Sequence, residues 1–367
     1  MGYQPILGTS YIYLCYVKRF YMKIKNQPET LLEWIALKAN LAPIPLVDTQ
    51  VAFNAARAIM AAAELGIYEA VGKNSKTADE VSSACNTHPK ATRHLLDALV
   101  GIGYLQWSNG NYSLKQKFQK WLLKESESNL ISKLRFQILE WEWMAKLEDY
   151  VRTGKTLEMH SAVTPREWQL YQEGMRDLSI NVAKEVAPKI PVPNSATAML
   201  DIGGSHGLFS IELCKRHSSL SSTIMELPGA IEAASAIAKR YDTTNRINYV
   251  AGNALNDDLG KEKFDLIMIN NVVHHFTSEQ NFALAKKTAA ALKSGGIYAI
   301  GEFIRQSKPG EGGIVPSTTG LYFSLTSSSG TWSIDEMKAW QKSAGLKIEK
   351  PVSPMSLPGW KILIARK

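Results

Sequence analysis

The residues that most invite a chemical reading form the run Asp201-Ile-Gly-Gly-Ser-His-Gly207. Glycine lets a chain turn sharply and approach a ligand with no Cβ in the way. A dinucleotide site needs G-x-G-x-x-G, and the residue two places after Gly203 is Ser205, so the spacing excludes that class. What stands instead is acid-x-Gly-x-x-x-Gly, carried by Asp201, Gly203 and Gly207. Further on, Glu226 offers a carboxylate able to accept both hydroxyls of a ribose, the task an acid serves in nucleotide-binding folds. Gly252-Asn253-Ala254 then brings a side-chain amide suited to the edge of a base, and Asn270 closes an apolar run that starts near Asp265. Just beyond it, V-V-H-H-F places His274 and His275 where an imidazole could move a proton in the same crevice.

These positions share a context. Each ends or directly follows an apolar segment: A-M-L-D-I-G-G, S-T-I-M-E-L, I-N-Y-V-A-G-N, F-D-L-I-M-I-N-N and G-I-Y-A-I-G-E. Helical stretches separate them, which predicts a Rossmann-like, doubly wound parallel α/β sheet with its ligand at the carboxyl ends of the strands. The tail segments L-K-I-E-K-P and W-K-I-L-I-A-R-K read as two further strands joined by a Pro-rich turn.

Upstream, Val51 to Gly66 reads as an Ala-rich helix closed by a glycine. Thr77-Ala-Asp-Glu80 is a capping box that starts a second helix, and Pro89 opens a third. Asn109-Gly110 then marks a hairpin. Three helices and a hairpin make a winged-helix arrangement. From Asn129 to Lys189 the chain reads as helical and rich in large side chains, until Pro188, Pro191 and Pro193 break it. The expected organisation is an extension over 1–21, with Met22 as the natural start, a winged-helix unit over 22–125, a helical linker and lid over 126–194 and the sheet domain over 195–367.

The stretch D-I-G-G-S-H-G … M-E-L-P-G-A … A-G-N-A … N-N-V-V-H-H-F … S-G-G-I-Y-A-I-G-E resembles the class I methyltransferases. More narrowly it resembles the small-molecule O-methyltransferases of the caffeate and acetylserotonin type, and does so from Val51 onward. The resemblance implies S-adenosylmethionine as cofactor, held near Asp201, Gly203, Gly207, Glu226, Leu227, Asn253, Ala254 and Asn270. It implies His274 as general base, with His275 as the alternative, and Glu302 as the acid that orients it. It also implies an N-terminal dimerisation domain, hence a homodimer. A helix reading F-N-x-G-M in that family corresponds to Tyr171-Gln-Glu-Gly-Met175, which makes Tyr171 and Met175 the acceptor-contacting candidates, with Ser179 a weaker one. Two departures stand out. His275-Phe276 replaces Asp-Trp, and the second orienting Glu expected near Thr331 is absent. The second departure keeps carbon or nitrogen methylation open as an alternative chemistry.

Composition narrows the partners. With 45% apolar and 21% charged residues the chain has a globular composition. The net charge of +8 is unevenly placed: residues 1–25 carry Lys18, Arg19, Lys23 and Lys25 and no acid, whereas residues 26–194 hold 19 basic and 19 acidic side chains. The winged-helix unit therefore lacks the basic footprint of a nucleic-acid binder. Its candidate reading helix offers Lys90, Arg93 and His94 against Asp97, which speaks against a regulator that uses the fold as a ligand sensor. Cys15, Cys85 and Cys214 make no C-x-x-C pair and no metal spacing, so a reducing cytoplasm and no metal cofactor are expected. No segment is long and apolar enough to predict a membrane partner.

Overall fold

The computed structural model describes Pro28 and residues 30–157 and 164–367. The expectations attached to residues 1–21, Cys15 and Met22 lie outside the described residues.

Helix α1 (Leu31–Lys38) begins at a capping box in which Thr30 and Glu33 satisfy each other's backbone N–H groups. It buries no residue, and Leu31 and Leu32 are 72% and 79% exposed. The short α2 (Ile44–Leu46) continues through a π-helical turn into α3 (Ala52–Glu64), the Ala-rich helix. α4 (Ile67–Val71), α5 (Ala78–Cys85) and α6 (Pro89–Ile102) follow, with the predicted Thr77–Glu80 capping box in place. β1 (Leu105–Ser108) and β2 (Asn111–Leu114) form the hairpin. Both turn residues, Asn109 and Gly110, take left-handed angles (φ 50° and 82°), the geometry that matches the twist of the flanking strands. With α7 (Gln116–Leu122) these elements enclose one core around Ile67, Leu96, Leu99, Leu105 and Leu122.

The helical region resolves into α8 (Ile131–Met144), α9 (Leu147–Thr153) and the 22-residue α10 (Pro165–Val186). α10 lies close against α8 at Gly174, where an added Cβ would sit 3.0 Å from the Cβ of Phe136. A mid-helix glycine costs about 1 kcal/mol against alanine. Here it is what allows the two helices to approach.

The sheet domain alternates β3 (Ala198–Ile202), α11 (Leu208–Arg216), β4 (Ser221–Glu226), α12 (Ile231–Tyr241), β5 (Ile247–Ala251), β6 (Phe264–Asn270), α13 (Ser278–Ala291) and β7 (Leu292–Phe303). Then come α14 (Ile314–Thr326), α15 (Ile334–Ser343), β8 (Lys347–Ile348) and β9 (Trp360–Arg366). The seven strands lie in the order β5-β4-β3-β6-β7-β9-β8. β3 to β7 are parallel, so the order reverses between β3 and β6, the switch point where such sheets bind ligands. One face is covered by α10 and α11 through Ile180, Val186, Leu208 and Ile211. The other is covered by α13 and α15 through Leu284, Met337 and Trp340.

The sheet is not parallel throughout. β9 runs antiparallel to both β7 and β8. The connection from β8 to β9 carries no helix, and without a crossover a chain can return beside its neighbour only in the opposite direction. Among the described residues, no helix is long and apolar enough to cross a membrane.

Candidate active site

The turn from β3 into α11 takes left-handed angles at Gly203 (φ 62°), Ser205 (φ 53°) and Gly207 (φ 71°). A Cβ on Gly203 would stand 2.6 Å from Val272 Cγ2, so only glycine fits under the neighbouring strand end. Ser205 adopts its angle as a non-glycine residue and is held on several sides. Its N–H donates to Glu226 Oε1 (3.1 Å), its carbonyl accepts from the Tyr249 hydroxyl (2.8 Å), and its hydroxyl bonds Gln172 on α10. The other Glu226 oxygen accepts from the N–H of Leu227 (2.9 Å). Burial raises the pKa of this carboxyl, while its two backbone donors favour the charged form.

Above the turn lies a cleft of about 240 Å³. Of the residues singled out from the sequence, Gly203, Glu226, Leu227, Asn253, Ala254, Asn270, Tyr171, Met175 and Ser179 all line it. Tyr171 is half-buried and meets Phe136 and Trp168 edge to face at 5.4 and 5.7 Å. The loop after β5 is fixed from behind by a residue the sequence reading passed over. Lys287 on α13 donates from Nζ to the carbonyls of Ala254 (2.8 Å), Leu255 (3.2 Å) and Asp257 (2.5 Å). Asn253 spends its side-chain oxygen on Leu255 N, leaving its amide NH₂ for the cleft.

Asp201 and Gly207 do not line the cleft. Asp201 is buried beneath the turn, where its Oδ2 accepts from Ser210 Oγ (2.6 Å) and its Oδ1 has no partner. Burial, assisted by the charge of Glu226, pushes its carboxyl up to about 7. Gly207 serves the turn itself, since a Cβ there would meet Ile224 at 2.7 Å.

His274 and Glu302 also lie behind the cleft wall. Parallel pairing of β6 with β7 sets Asn270 opposite Gly301, which brings the residues just past each strand together. His274 Nδ1 is 2.8 Å from Glu302 Oε2, and both side chains are buried. The second Glu302 oxygen accepts from Phe303 N (2.9 Å). The 3-10 turn Val273–His275 is pinned by three donors: Trp332 Nε1 and Asn281 Nδ2 to the Val273 carbonyl, and Ser329 N to the His274 carbonyl. His275 and Phe276 line the cleft, whereas the His274 ring is covered on one face by Phe323.

Several lining residues went unread in the sequence: Trp168, Phe209, Met225, Asn271 and Val272. Met225, Asn271 and Val272 stand inside the strand-end motifs without a role of their own there, and Trp168 and Phe209 carry no motif. His206 was legible only as part of the glycine run. It is buried, burial holds its imidazole down to about 4, and its Nδ1 accepts from Leu208 N (3.3 Å).

A carboxylate with both oxygens anchored, an amide NH₂, a side-chain-free turn and apolar walls from Phe209, Met225, Leu227 and Phe276 suit a nucleoside bearing a cationic group. The comparisons agree. Residues 146–330 match the O-methyltransferase domain family and residues 47–120 the O-methyltransferase dimerisation domain. The chain is 25% identical to the mitomycin biosynthesis 6-O-methyltransferase of Streptomyces lavendulae, over 65% of this chain and 71% of that one. It is 22% identical to the N,N-dimethyltransferase OxyT of Streptomyces rimosus, over 89% and 98%. The crystal structure of human N-acetylserotonin methyltransferase shares the fold with a TM-score of 0.75 at 16% identity, covering 94% of this chain and 99% of that one.

Asp201 sets a pH dependence. Its folded-state pKa lies above the ordinary carboxylate value, so the native protein holds a proton there that the unfolded chain releases between about pH 4 and 7. Its contribution to stability is therefore present at low pH and is lost as pH rises through that window. In urea titrations of the protein without ligand, wild type should lose stability relative to Asp201→Asn between pH 4.5 and 7.5. A relative gain over the same range would mean that Asp201 is ionised when folded.

Proposed function

The chain belongs to the O-methyltransferase family, and we propose that His274 deprotonates a hydroxyl of a small aromatic acceptor during methyl transfer from S-adenosylmethionine. The observation that carries this reading is the buried His274–Glu302 pair beside the cleft of the glycine turn. S-adenosylmethionine, when bound, supplies an electrophilic methyl on a sulfonium and leaves as S-adenosylhomocysteine. The residues fitted to hold it are Glu226 for the ribose hydroxyls, Asn253 and Ala254 for the adenine, and Gly203, Leu227 and Asn270 around them. Asp201 and Gly207 act beneath, by shaping the turn.

Displacement at a methyl carbon asks the enzyme chiefly to hold the acceptor oxygen in line with the departing sulfur. Tyr171 and Met175, side by side on α10 and both in the cleft, are suited to a flat acceptor. A phenol of pKa ~10 is mostly protonated at neutral pH, so a positioned base speeds the step. Glu302 accepts the Nδ1 proton of His274, which fixes the tautomer and leaves Nε2 to take the acceptor's proton. Thr331, standing where a second orienting Glu is expected, favours a second reading, methylation at nitrogen or carbon, for which no such base is needed.

The N-terminal unit over residues 22–125 is read as the joint between two copies in a cytoplasmic homodimer. The dimerisation-domain match and the exposed apolar side chains of α1 support it. Two charges of α6 are engaged within the unit: Asp97 accepts from the Tyr112 hydroxyl (2.6 Å) and Arg93 lies 4.0 Å from Asp79. That leaves little for a nucleic-acid backbone.

Three outcomes are expected. In calorimetry with S-adenosylhomocysteine, Glu226→Ala should lose about 1.5–3 kcal/mol of affinity, the worth of hydrogen bonds to a charged group. Unchanged affinity would remove the ribose assignment. His274→Ala should keep that affinity while turnover falls by roughly 10²–10⁴, with a smaller fall in Glu302→Gln. Normal turnover in His274→Ala, with loss in His275→Ala instead, would exchange the roles of the two histidines. Light scattering at micromolar concentration should report twice the mass of the chain, and a monomer would overturn the dimer.

A further inference from the structure

One contact of His274 has no place in the reaction as described so far. The phenyl ring of Phe323 lies flat on the imidazole, with centroids 4.0 Å apart and planes only 10° from parallel. Phe323 belongs to α14, whose flanks carry left-handed glycines at Gly313 (φ 83°) and Gly330 (φ 69°). α14 is tied across the molecule to α8. The Tyr322 hydroxyl donates to Glu140 Oε1 (2.9 Å), and Lys133 Nζ donates to Glu140 Oε2 (2.7 Å). Phe303, at the end of β7, supports the Phe323 ring edge-on at 5.9 Å.

We propose that Phe323 is a positioning residue of the base, holding the imidazole plane and stabilising the imidazolium that forms when the acceptor proton is taken. The negative face of an aromatic ring attracts a cation stacked on it, most strongly where water is excluded. Glu302 supplies its charge at the ring edge, through Nδ1. Phe323 acts on the face, so it competes for neither nitrogen and leaves Nε2 to the acceptor. The phenyl face also brings no second negative charge into this buried pocket. It acts through the electrostatics of the ring face. Among the described residues, the titratable groups facing His274 are Glu302 from β7 and His275 from its own turn, which stands 4.2 Å away between ring centroids. α14 presents the uncharged Phe323, with Tyr322 beside it committed to Glu140.

The inference rests on His274 being the base, and the test reads the ring without an acceptor. Full-length protein with isotope-labelled histidine is titrated by NMR in the presence of S-adenosylhomocysteine, the His274 signal being assigned by its loss in His274→Asn. In Phe323→Leu the midpoint of that signal should fall by roughly 0.5–1 in pH, the worth of a partly desolvated cation–π contact. Phe323→Trp, with the stronger π face, should restore or raise it. Tyr322→Phe, which cuts the tie to α8 and keeps the ring, should lower it by a smaller amount. A midpoint unmoved or raised in Phe323→Leu, or lowered in Phe323→Trp as much as in Phe323→Leu, would overturn the proposal. Should Phe323→Leu fail to fold, the Trp and Tyr322→Phe variants decide alone. Failure here leaves the base assignment standing, because that assignment is judged by the turnover of His274→Ala.

Discussion

The hydrogen bond between the His274 imidazole and the Glu302 carboxylate is the constraint around which the site is arranged. A buried carboxylate is costly unless its lone pairs are taken up, and here one oxygen has the imidazole and the other a backbone N–H. The pairing exists because β6 and β7 are adjacent and parallel and in a register that sets Asn270 beside Gly301. That register is unforgiving. A Cβ on Gly301 would fall 2.1 Å from Asn270 Oδ1 and 2.4 Å from Trp360, so the strands meet there only because the residue is glycine. Trp360 comes from β9 and donates from Nε1 to Asn271 Oδ1 (2.7 Å). The antiparallel strand β9 thus buttresses the crevice.

A second arm reaches the site from α10. Gln172 meets Ser205 in the glycine turn, while Tyr171 and Met175 of the same helix line the cleft. The glycine turn and α10, which both line the cleft, are therefore in direct contact. Ser205 touches both, through its hydroxyl to Gln172 and its N–H to Glu226.

The strand-end motifs were legible in the sequence because alternation of apolar runs with Gly, Glu and Asn at their ends is what a switch-point site requires. Glu226, Asn253 and Ala254 lie together for that reason. The winged-helix unit was legible from a capping box and a two-residue turn, both local signals. Lys287 could not be read, and Phe323 reads from the sequence only as an apolar wall of an acceptor pocket or a helix-packing residue. Each acts across a large sequence separation, on carbonyls around Ala254 and on the His274 ring, and neither has a local pattern. Asp201 was read as a ligand contact because an acid before a glycine turn has two possible directions, and only the packing of Ser210 against it decides that it points beneath.

The downward-pointing carboxyl has a bearing on how binding would be observed. Asp201 holds its proton near neutrality partly because Glu226 is close by, so its occupancy follows the electrostatic potential of the cleft. A cation arriving above it favours the ionised carboxyl, so its pKa falls and part of its proton passes to the medium. Binding of a positively charged ligand is then linked to release of hydrogen ion. The measured heat of such binding carries the ionisation enthalpy of whatever buffer receives that proton, and the ligand's apparent affinity carries the pH.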